Sequence, residues 1–258
     1  MQITTVTMNP TIDKSSRVKR VVPERKLRCR PPTFEPGGGG INVSRAIRNL
    51  GGASLTVFPA GDGHTGRFFK ELIEGEELTS RVVAVKARTR ESLMIYEEST
   101  GQQYRFGMPG EELAEADWQA CLDAAFDLEA PPAYLVASGS LPPGAPGDFY
   151  ARLADRCREK GIRLAVDTSG EPLCRAAEAG VFLLKPNLNE LKTLAGCELD
   201  EEDDQEKIVR SLVAEGRSRY VVLSLGAAGV LAASAQGLER LRAPTVKIQS
   251  KVGARMMV

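Results

Sequence analysis

The sequence predicts an α/β protein: a doubly wound, mostly parallel sheet with helices on both faces, plus a small antiparallel sheet. Three observations point there. Strand and helix patterns alternate along most of the 258 residues, as they do when crossover helices join parallel strands. The strands read as unbroken apolar runs, as strands covered on both faces do. Two segments, 14–34 and 90–110, break this rhythm with alternating, charge-rich patterns.

Taken in order, ITTVTM (3–8) is a strand ended by Asn9-Pro10. INVSRAIRNLG (41–51) has helical spacing and a glycine stop. SLTVFPAG (54–61) is a buried strand, and GRFFKELIEGE (66–76) fits a helix. RESLMIYEESTGQQYRFGMPG (90–110) is a hairpin turning at Ser99-Thr100-Gly101. Later come a strand at AYLVASG (133–139), a helix at GDFYARLADRCREKG (147–161), and a strand at RLAVDTSG (163–170) followed by a short helix. A strand at FLLKPN (182–187), a helix at NELKTLAG (189–196), a helix at about 208–215 and a strand at YVVLSLG (220–226) complete the pattern. The two irregular segments together make the small sheet, either a lid over a site or an edge decoration. A half-apolar exposed sheet of this size tends to find a partner, so a homodimer through it is expected.

Composition narrows the function classes. Lys and Arg total 34, as do Asp and Glu, so no net field recruits nucleic acid or an anionic membrane. No apolar run approaches the roughly 20 residues of a membrane span. Met1 to Thr5 lack the charged-then-apolar pattern of a secretion signal, so a cytoplasmic chain is expected. The five cysteines are scattered, with no C-x-x-C pair, and read as reduced packing residues. His64, the one histidine, sits in a turn-like GDGHTG and offers no partner for cysteine chemistry.

The chemistry gathers at strand C-termini, where open α/β sheets bind ligands. EPGGGGINVSRAI (35–47) sets four glycines before a helix, so the backbone can approach a ligand while free N–H groups point at it. It is not a phosphate-binding lysine loop, since no Lys-Ser/Thr pair follows. Asp13 suits sugar hydroxyls or an ordinary turn. Lys26, Arg28, Arg90 and Arg105 are cations on the irregular segments; flanking one cleft, they would clamp an anion. SGSLPPG (138–144) reads equally as a binding turn or a structural one. In LLKPNLNEL (183–191), Lys185 could meet a nucleotide phosphate, while Asn187 and Glu190 could position hydrated magnesium. LSLGAAGVLAAS (223–234) is a hairpin whose Gly226-x-x-Gly229 turn could lie against a nucleotide.

These pieces occur together and in order: TVTMNPTIDKS, GGGGINVSRAI, SGSLPPG, VDTSGE, KPNLNEL, SLGAAG and SKVGA. The chain thereby resembles the ribokinase-like carbohydrate kinases of the phosphofructokinase B family, over essentially its whole length. KLRCRPPTFEPGGGG and GQQYRFGMPG carry a closer likeness to the family's ATP-dependent 6-phosphofructokinase branch, with 1-phosphofructokinases and tagatose-6-phosphate kinases the runners-up. The resemblance implies one ribokinase-like domain over 1–258, with lid segments at about 14–36 and 88–109. It implies ATP and magnesium as co-substrate and cofactor, and fructose 6-phosphate as acceptor. Asp13, Gly38, Gly39 and Asn42 would hold the sugar hydroxyls. Arg90 and Arg105 would hold its phosphate, with Ser140 nearby, and Lys26 would reach toward the transferring group. Lys185, Asn187, Ser224, Gly226 and Gly229 would contact the nucleotide, with Glu190 supporting the metal.

The resemblance also implies a G-A-G-D backbone anion hole at a helix N-terminus, with its Asp as general base. Gly253 and Ala254 match the start of that motif, and Met256 stands at the Asp position. A thioether takes no proton, and losing a general base costs about 10²–10⁴-fold in rate. A C-terminally incomplete chain with very weak catalysis is therefore expected. The corresponding reading from a different class is a sugar-phosphate-binding protein without turnover.

Overall fold

A computed structural model of the chain describes residues 3–199 and 201–244. In chain order the elements are β1 (Ile3–Val6), β2 (Thr11–Val18), β3 (Thr33–Gly37), α1 (Gly39–Asn49), β4 (Ser54–Gly61) and α2 (His64–Gly75). There follow β5 (Ser80–Val85), β6 (Arg90–Glu97), β7 (Gln103–Gly107), α3 (Glu115–Ala124), β8 (Tyr134–Ser138), α4 (Phe149–Glu159) and β9 (Arg163–Asp167). The last are α5 (Gly170–Ala179), β10 (Val181–Leu184), α6 (Leu188–Ala195), α7 (Glu202–Ala214), β11 (Ser218–Ser224), β12 (Val230–Ser234) and β13 (Gly237–Leu241).

Among the described residues the strands form two sheets. The larger has the order β13-β12-β11-β10-β9-β8-β1-β4-β5. It is parallel from β11 to β5, and β12 alone runs against the others, pairing antiparallel with both β11 and β13. The chain leaves β1 for β4 and β5 on one side, then returns to β8 and continues outward on the other. The switch point therefore lies between β1 and β8, where a crevice opens beyond the strand ends.

Both faces are covered around that point, and the side-chain alternation shows how. Val57 of β4 joins a core with Val6, Leu55, Leu135 and the α3 residues Trp118 and Cys121. Phe58, the next residue, belongs to a second cluster with Ile41 of α1 and Phe69 and Ile73 of α2. Adjacent strand residues point to opposite faces, so α3 and α2 sandwich the strand. Phe58 and Phe69 meet edge-on at 5.3 Å between ring centres. A third cluster packs α7 (Val209, Leu212) on β11 and β12 (Val221, Leu223, Leu231).

The smaller sheet has the order β3-β2-β6-β7. Its outer pairings, β2 with β3 and β6 with β7, are antiparallel, whereas β2 and β6 pair in parallel from Thr11↔Arg90 to Val18↔Glu97. Its base is anchored, because Ile12 of β2 is fully buried in the cluster that holds Ile41 and Phe58. The expected hairpin over 90–110 is β6 and β7. Three elements were not expected from the sequence pattern: β5, α3 and β13.

Tyr150 links the helical layer to the site. It is fully buried on α4, and its hydroxyl donates to the Gly139 carbonyl at 2.8 Å. Thr168 Oγ1 donates to the same carbonyl at 2.9 Å, fixing the turn that follows β8. Since Thr168 still satisfies that carbonyl, Tyr150→Phe should cost only about 1 kcal/mol. Urea unfolding followed by fluorescence of Trp118, the single tryptophan, measures it. A loss beyond about 3 kcal/mol would mean that the carbonyl is left unpaired and the turn has moved.

Candidate active site

The site begins with the run of glycines before α1. Gly38 caps the helix with φ of 133°, which an L side chain rarely adopts. A Cβ on Gly39 would lie 2.2 Å from Ser138 Oγ and 2.7 Å from the Ser138 carbonyl oxygen. The glycines expected to admit a ligand thus also let α1 press onto the ends of β1 and β8. Ile41 N donates to Thr7 Oγ1 at 3.0 Å, taking one of the helix's unpaired amides. Helix α1 has no acidic residue in its first turn, so its positive end stays available.

Over that helix end lies the inner face of the small sheet, and a cavity of about 520 Å³ separates them. Its wall includes Asp13 and Lys14 of β2, Glu35 of β3, and Gly38, Gly39, Asn42 and Arg45 around α1. Thr11 and Ser15 of β2, Arg90 and Ser92 of β6 and Arg105 of β7 complete the polar lining. Asp13 pairs across strands with Glu35 and with Ser92. Burial pushes the Asp13 carboxyl above its usual range, opposed by the charges of Arg90, Arg105 and Arg45 and reinforced by Glu35. Burial likewise draws the Arg90 guanidinium down from its ordinary value, against the pull of Asp13. Arg90 donates through Nε and Nη2 to the Asn9 carbonyl, each at 3.3 Å, and through Nη1 to that of Met108 at 3.3 Å. Arg105 is exposed at the cavity rim.

A second group of residues collects at the ends of β9, β10 and β11. Lys185 Nζ sits 3.2 Å from Asp167 Oδ1, and Ser138 Oγ donates to Asp167 Oδ2 at 3.3 Å. Asn187 caps α6 in a reciprocal box: its Oδ1 accepts from Glu190 N at 3.0 Å, and Glu190 Oε2 accepts from Asn187 N at 2.8 Å. Ser224 bridges to Asn187, its N donating to the Pro186 carbonyl at 2.9 Å. Gly226 and Gly229 both have positive φ in the turn between β11 and β12. A Cβ on Gly229 would meet the Leu241 carbonyl at 2.0 Å, so the approach of β13 already demands that glycine.

The structure therefore brings Asp13, Gly38, Gly39, Asn42, Arg90 and Arg105 to one cavity, and Lys185, Asn187, Glu190, Ser224 and Gly226 to neighbouring strand ends. Lys26 lies exposed in the β2–β3 connection, outside the cavity wall. Ser140 is exposed and accepts from Asn9 Nδ2 at 3.1 Å, also outside that wall. Gly253, Ala254 and Met256 lie outside the described residues. The residue types suit a magnesium nucleotide. Among the described residues no cluster of three His, Cys, Asp or Glu side chains could hold a metal alone. Magnesium keeps its waters and binds through one or two carboxylates plus phosphate oxygens; Asp167 offers a carboxylate beside Lys185, and Glu190 another in the first turn of α6.

Sequence reasoning passed over Gly37, Arg45 and Asp167. A Cβ on Gly37 would lie 2.1 Å from Asp13 Oδ2, so this glycine leaves room for the carboxylate. Arg45 follows Asn42 by three residues, on the same helix face, and that spacing was the signal available. Asp167 stood in the quoted VDTSGE, but its pairing with Lys185 spans two neighbouring strands and has no local trace.

Known proteins share this architecture. The chain is similar to the ATP-dependent 6-phosphofructokinase isozyme 2 of Mycobacterium tuberculosis, 43% identical over 98% of this chain and 74% of the relative. It is similar to the crystal structure of phosphofructokinase-2 from Escherichia coli in complex with fructose-6-phosphate. That match has 41% identity and a TM-score of 0.92, and covers 96% of this chain and 82% of the other. It is also similar, at 30% identity, to a 1-phosphofructokinase of Bacillus subtilis, over 98% of this chain and 81% of the relative. The model of the pfkB family carbohydrate kinases matches residues 6–254, and the chain belongs to that family.

Proposed function

We propose that the chain binds fructose 6-phosphate in the cavity beneath the small sheet and, with magnesium ATP as donor, phosphorylates it to fructose 1,6-bisphosphate and ADP, slowly, because Met256 at the base position takes no proton and the hydroxyl's proton passes to solvent. The observation that carries this reading is a single cavity joining a half-buried carboxylate, Asp13, to two guanidinium groups, Arg90 and Arg105. Such a cavity suits a ligand with hydroxyls at one end and a phosphate at the other. The choice of sugar phosphate is supported by the higher identity to 6-phosphofructokinases than to 1-phosphofructokinase.

The chain's own groups divide the work. Asp13, ionised, accepts hydroxyl protons in hydrogen bonds, and Asn42 with the Gly38–Gly39 backbone fixes the sugar's orientation. Arg90 and Arg105 hold the phosphate bidentately. The β2–β3 and β6–β7 segments, about 14–36 and 88–109, act as the lid that excludes water, bringing Lys26 toward the transferring group. The nucleotide supplies the phosphoryl group and its magnesium ion balances the charge; Lys185, Asn187, Ser224 and Gly226 hold it, with Gly229 shaping the turn and Glu190 beside the metal. Exposed Phe106 and Met108 on the small sheet support a homodimer through the lid. A second reading, binding without turnover, rests on Met256 at the base position.

Calorimetry against fructose 6-phosphate, fructose 1-phosphate and tagatose 6-phosphate tests the assignment. Fructose 6-phosphate should bind at least about tenfold tighter than the others, a difference of about 1.4 kcal/mol. Preference for fructose 1-phosphate would overturn it. A coupled assay with magnesium ATP separates kinase from binder: binding without turnover selects the second reading.

The two arginines should part company on substitution. Arg105→Met should weaken sugar-phosphate binding by at least about tenfold while shifting stability by less than about 0.5 kcal/mol, because the side chain is exposed. Arg90→Met should lose affinity and also about 1–2 kcal/mol of stability, because its bonds to the Asn9 and Met108 carbonyls are lost. Equal effects of both on unfolding would contradict this division.

Asp13 gives a pH signature. Its folded pKa is raised, chiefly by burial, so its ionisation favours the unfolded chain. The penalty is absent below the unfolded value and grows as pH rises through the folded one. Asp13→Asn should therefore unfold at a higher temperature than the parent at pH 7, with the gap closing toward pH 3.5, while losing sugar binding. A variant less stable than the parent at pH 7 would show that Asp13 instead holds the site together.

A further inference from the structure

Resting on that reading of the cavity, we infer that Arg45, locked from behind by Glu76, is a positioning residue that fixes which end of the Asn42 amide faces the sugar. Arg45 is buried on α1, its side chain 9% exposed. Its guanidinium makes three separate bonds. Nη1 donates to Asn42 Oδ1 at 2.8 Å, Nη2 to the Pro36 carbonyl at 2.8 Å, and Nε to Glu76 Oε2 at 3.1 Å.

The chemistry of these partners settles the polarity of Asn42. A guanidinium only donates, so the Asn42 group facing it must be the carbonyl oxygen. The Nδ2 amine, with two donors, is then what Asn42 offers to a ligand in the cavity it lines. Asp13, on the same wall, is an acceptor and never a donor when ionised. A sugar hydroxyl placed between them donates to Asp13 and accepts from Asn42, satisfying both without either side chain turning. An Asn42 free to flip would offer a second acceptor beside the carboxylate and lose that match.

Glu76 makes the lock rigid. It is the residue just beyond α2, 15% exposed as a side chain, and also accepts from Arg48 Nη1 at 3.3 Å. Arg48 Nη1 donates to the Glu76 backbone carbonyl as well. A planar fork held at three points keeps one orientation, which a lysine's single ammonium cannot do. The arrangement ties the sugar end of the cavity to the second helix of the main domain, 31 residues further along the chain.

A double-mutant cycle on the full chain tests this, reading the Kd for fructose 6-phosphate by calorimetry. Asn42→Ala and Arg45→Met should each weaken binding by about tenfold, the scale of one lost hydrogen bond in a built site. Their combination should be no more than about twofold weaker than the poorer single variant, because Arg45 acts through Asn42. Losses that multiply to about a hundredfold would overturn the inference and show Arg45 acting directly, through its charge on Asp13 or the phosphate. Arg45→Lys separates fork from charge: it should bind as poorly as Arg45→Met, and binding like the parent would overturn the inference. Should Arg45→Met fail to fold, Arg45→Lys and Glu76→Gln carry the test. Glu76→Gln should weaken binding a few-fold in the presence of Asn42 and not at all in its absence. A parent chain that binds none of the three sugar phosphates would overturn the site reading itself, and the inference with it.

Discussion

The close approach of α1 to the ends of β1 and β8 is the constraint on which the rest of the site depends. Any side chain at position 39 would overlap Ser138, and one at position 40 would overlap the Val6 carbonyl. With those positions bare, the helix end sits directly at the switch point of the parallel sheet. Thr7 and Ser138, which touch the glycines, are the last or next residues of β1 and β8. Two strand ends and one helix N-terminus are thereby brought within hydrogen-bonding reach of one another. The turn after β8 is braced in its turn, since Gly139 N donates to the Asp167 carbonyl at 2.9 Å. Asp167 then reaches Lys185. A sterically enforced contact at one end of α1 is thus connected to the Lys185 end of β10 through polar contacts that each span neighbouring strands.

The small sheet is built differently. Its base is continuous with the hydrophobic core through Ile12, while all four strands bring charges to the cavity: Asp13 and Lys14 on β2, Glu35 on β3, Arg90 on β6 and Arg105 on β7. The parallel pairing of β2 with β6 is what unites its two halves, and it aligns Thr11 with Arg90 and Asp13 with Ser92. That register sets the arginine at the foot of the sheet, against the Asn9 carbonyl, and the carboxylate just above it. Cations outnumber carboxylates on the cavity wall: Lys14, Arg45, Arg90 and Arg105 against Asp13 and Glu35. The surplus is suited to a phosphate dianion, whose arrival would offset charges that burial now penalises.

Much of this was legible in the sequence, and for physical reasons. Long apolar strands followed by amphipathic helices declare a parallel sheet, and β4 is recovered over 54–61 to the residue. The glycine run before α1 pointed to a close backbone approach, which the contact of Gly39 with Ser138 shows, whereas the cations of the 90–110 hairpin read singly as surface charge and pointed to an anion only if they flanked one cleft. The missed elements lacked local signals. Helix α3 starts after Ala114 with no capping side chain, and β5 is a short edge strand exposed at alternate residues. The parallel β2–β6 pairing joins residues some eighty positions apart, and no pattern of neighbours encodes it. Arg45 was passed over for a related reason. An arginine on a helix is usually a solvated one, and only the distant Glu76 makes it a buried strut.

The two ends of the cavity therefore differ in mechanical character. In the proposed reading the hydroxyl end rests on β2, where Asp13 follows the buried Ile12, and on α1, which is clamped to the large sheet by bare glycines and to α2 by the Arg45–Glu76 pair. In the same reading the phosphate end rests on β6 and β7, which reach the main domain through the pairing of β6 with β2 and the bonds Arg90 makes at the seam. Binding energy gained at a phosphate remote from the reacting hydroxyl is most useful when it is spent on closing the site rather than on tightening the ground state alone. Arg90 is placed for that use. It bonds to the Asn9 carbonyl at the exit of β1 and to Met108 at the exit of β7, so a phosphate it holds is attached to both sheets at once. In that reading, a hydroxyl end braced by α1 and β2 and a phosphate end joined to both sheets by Arg90 follow from where each set of side chains is rooted.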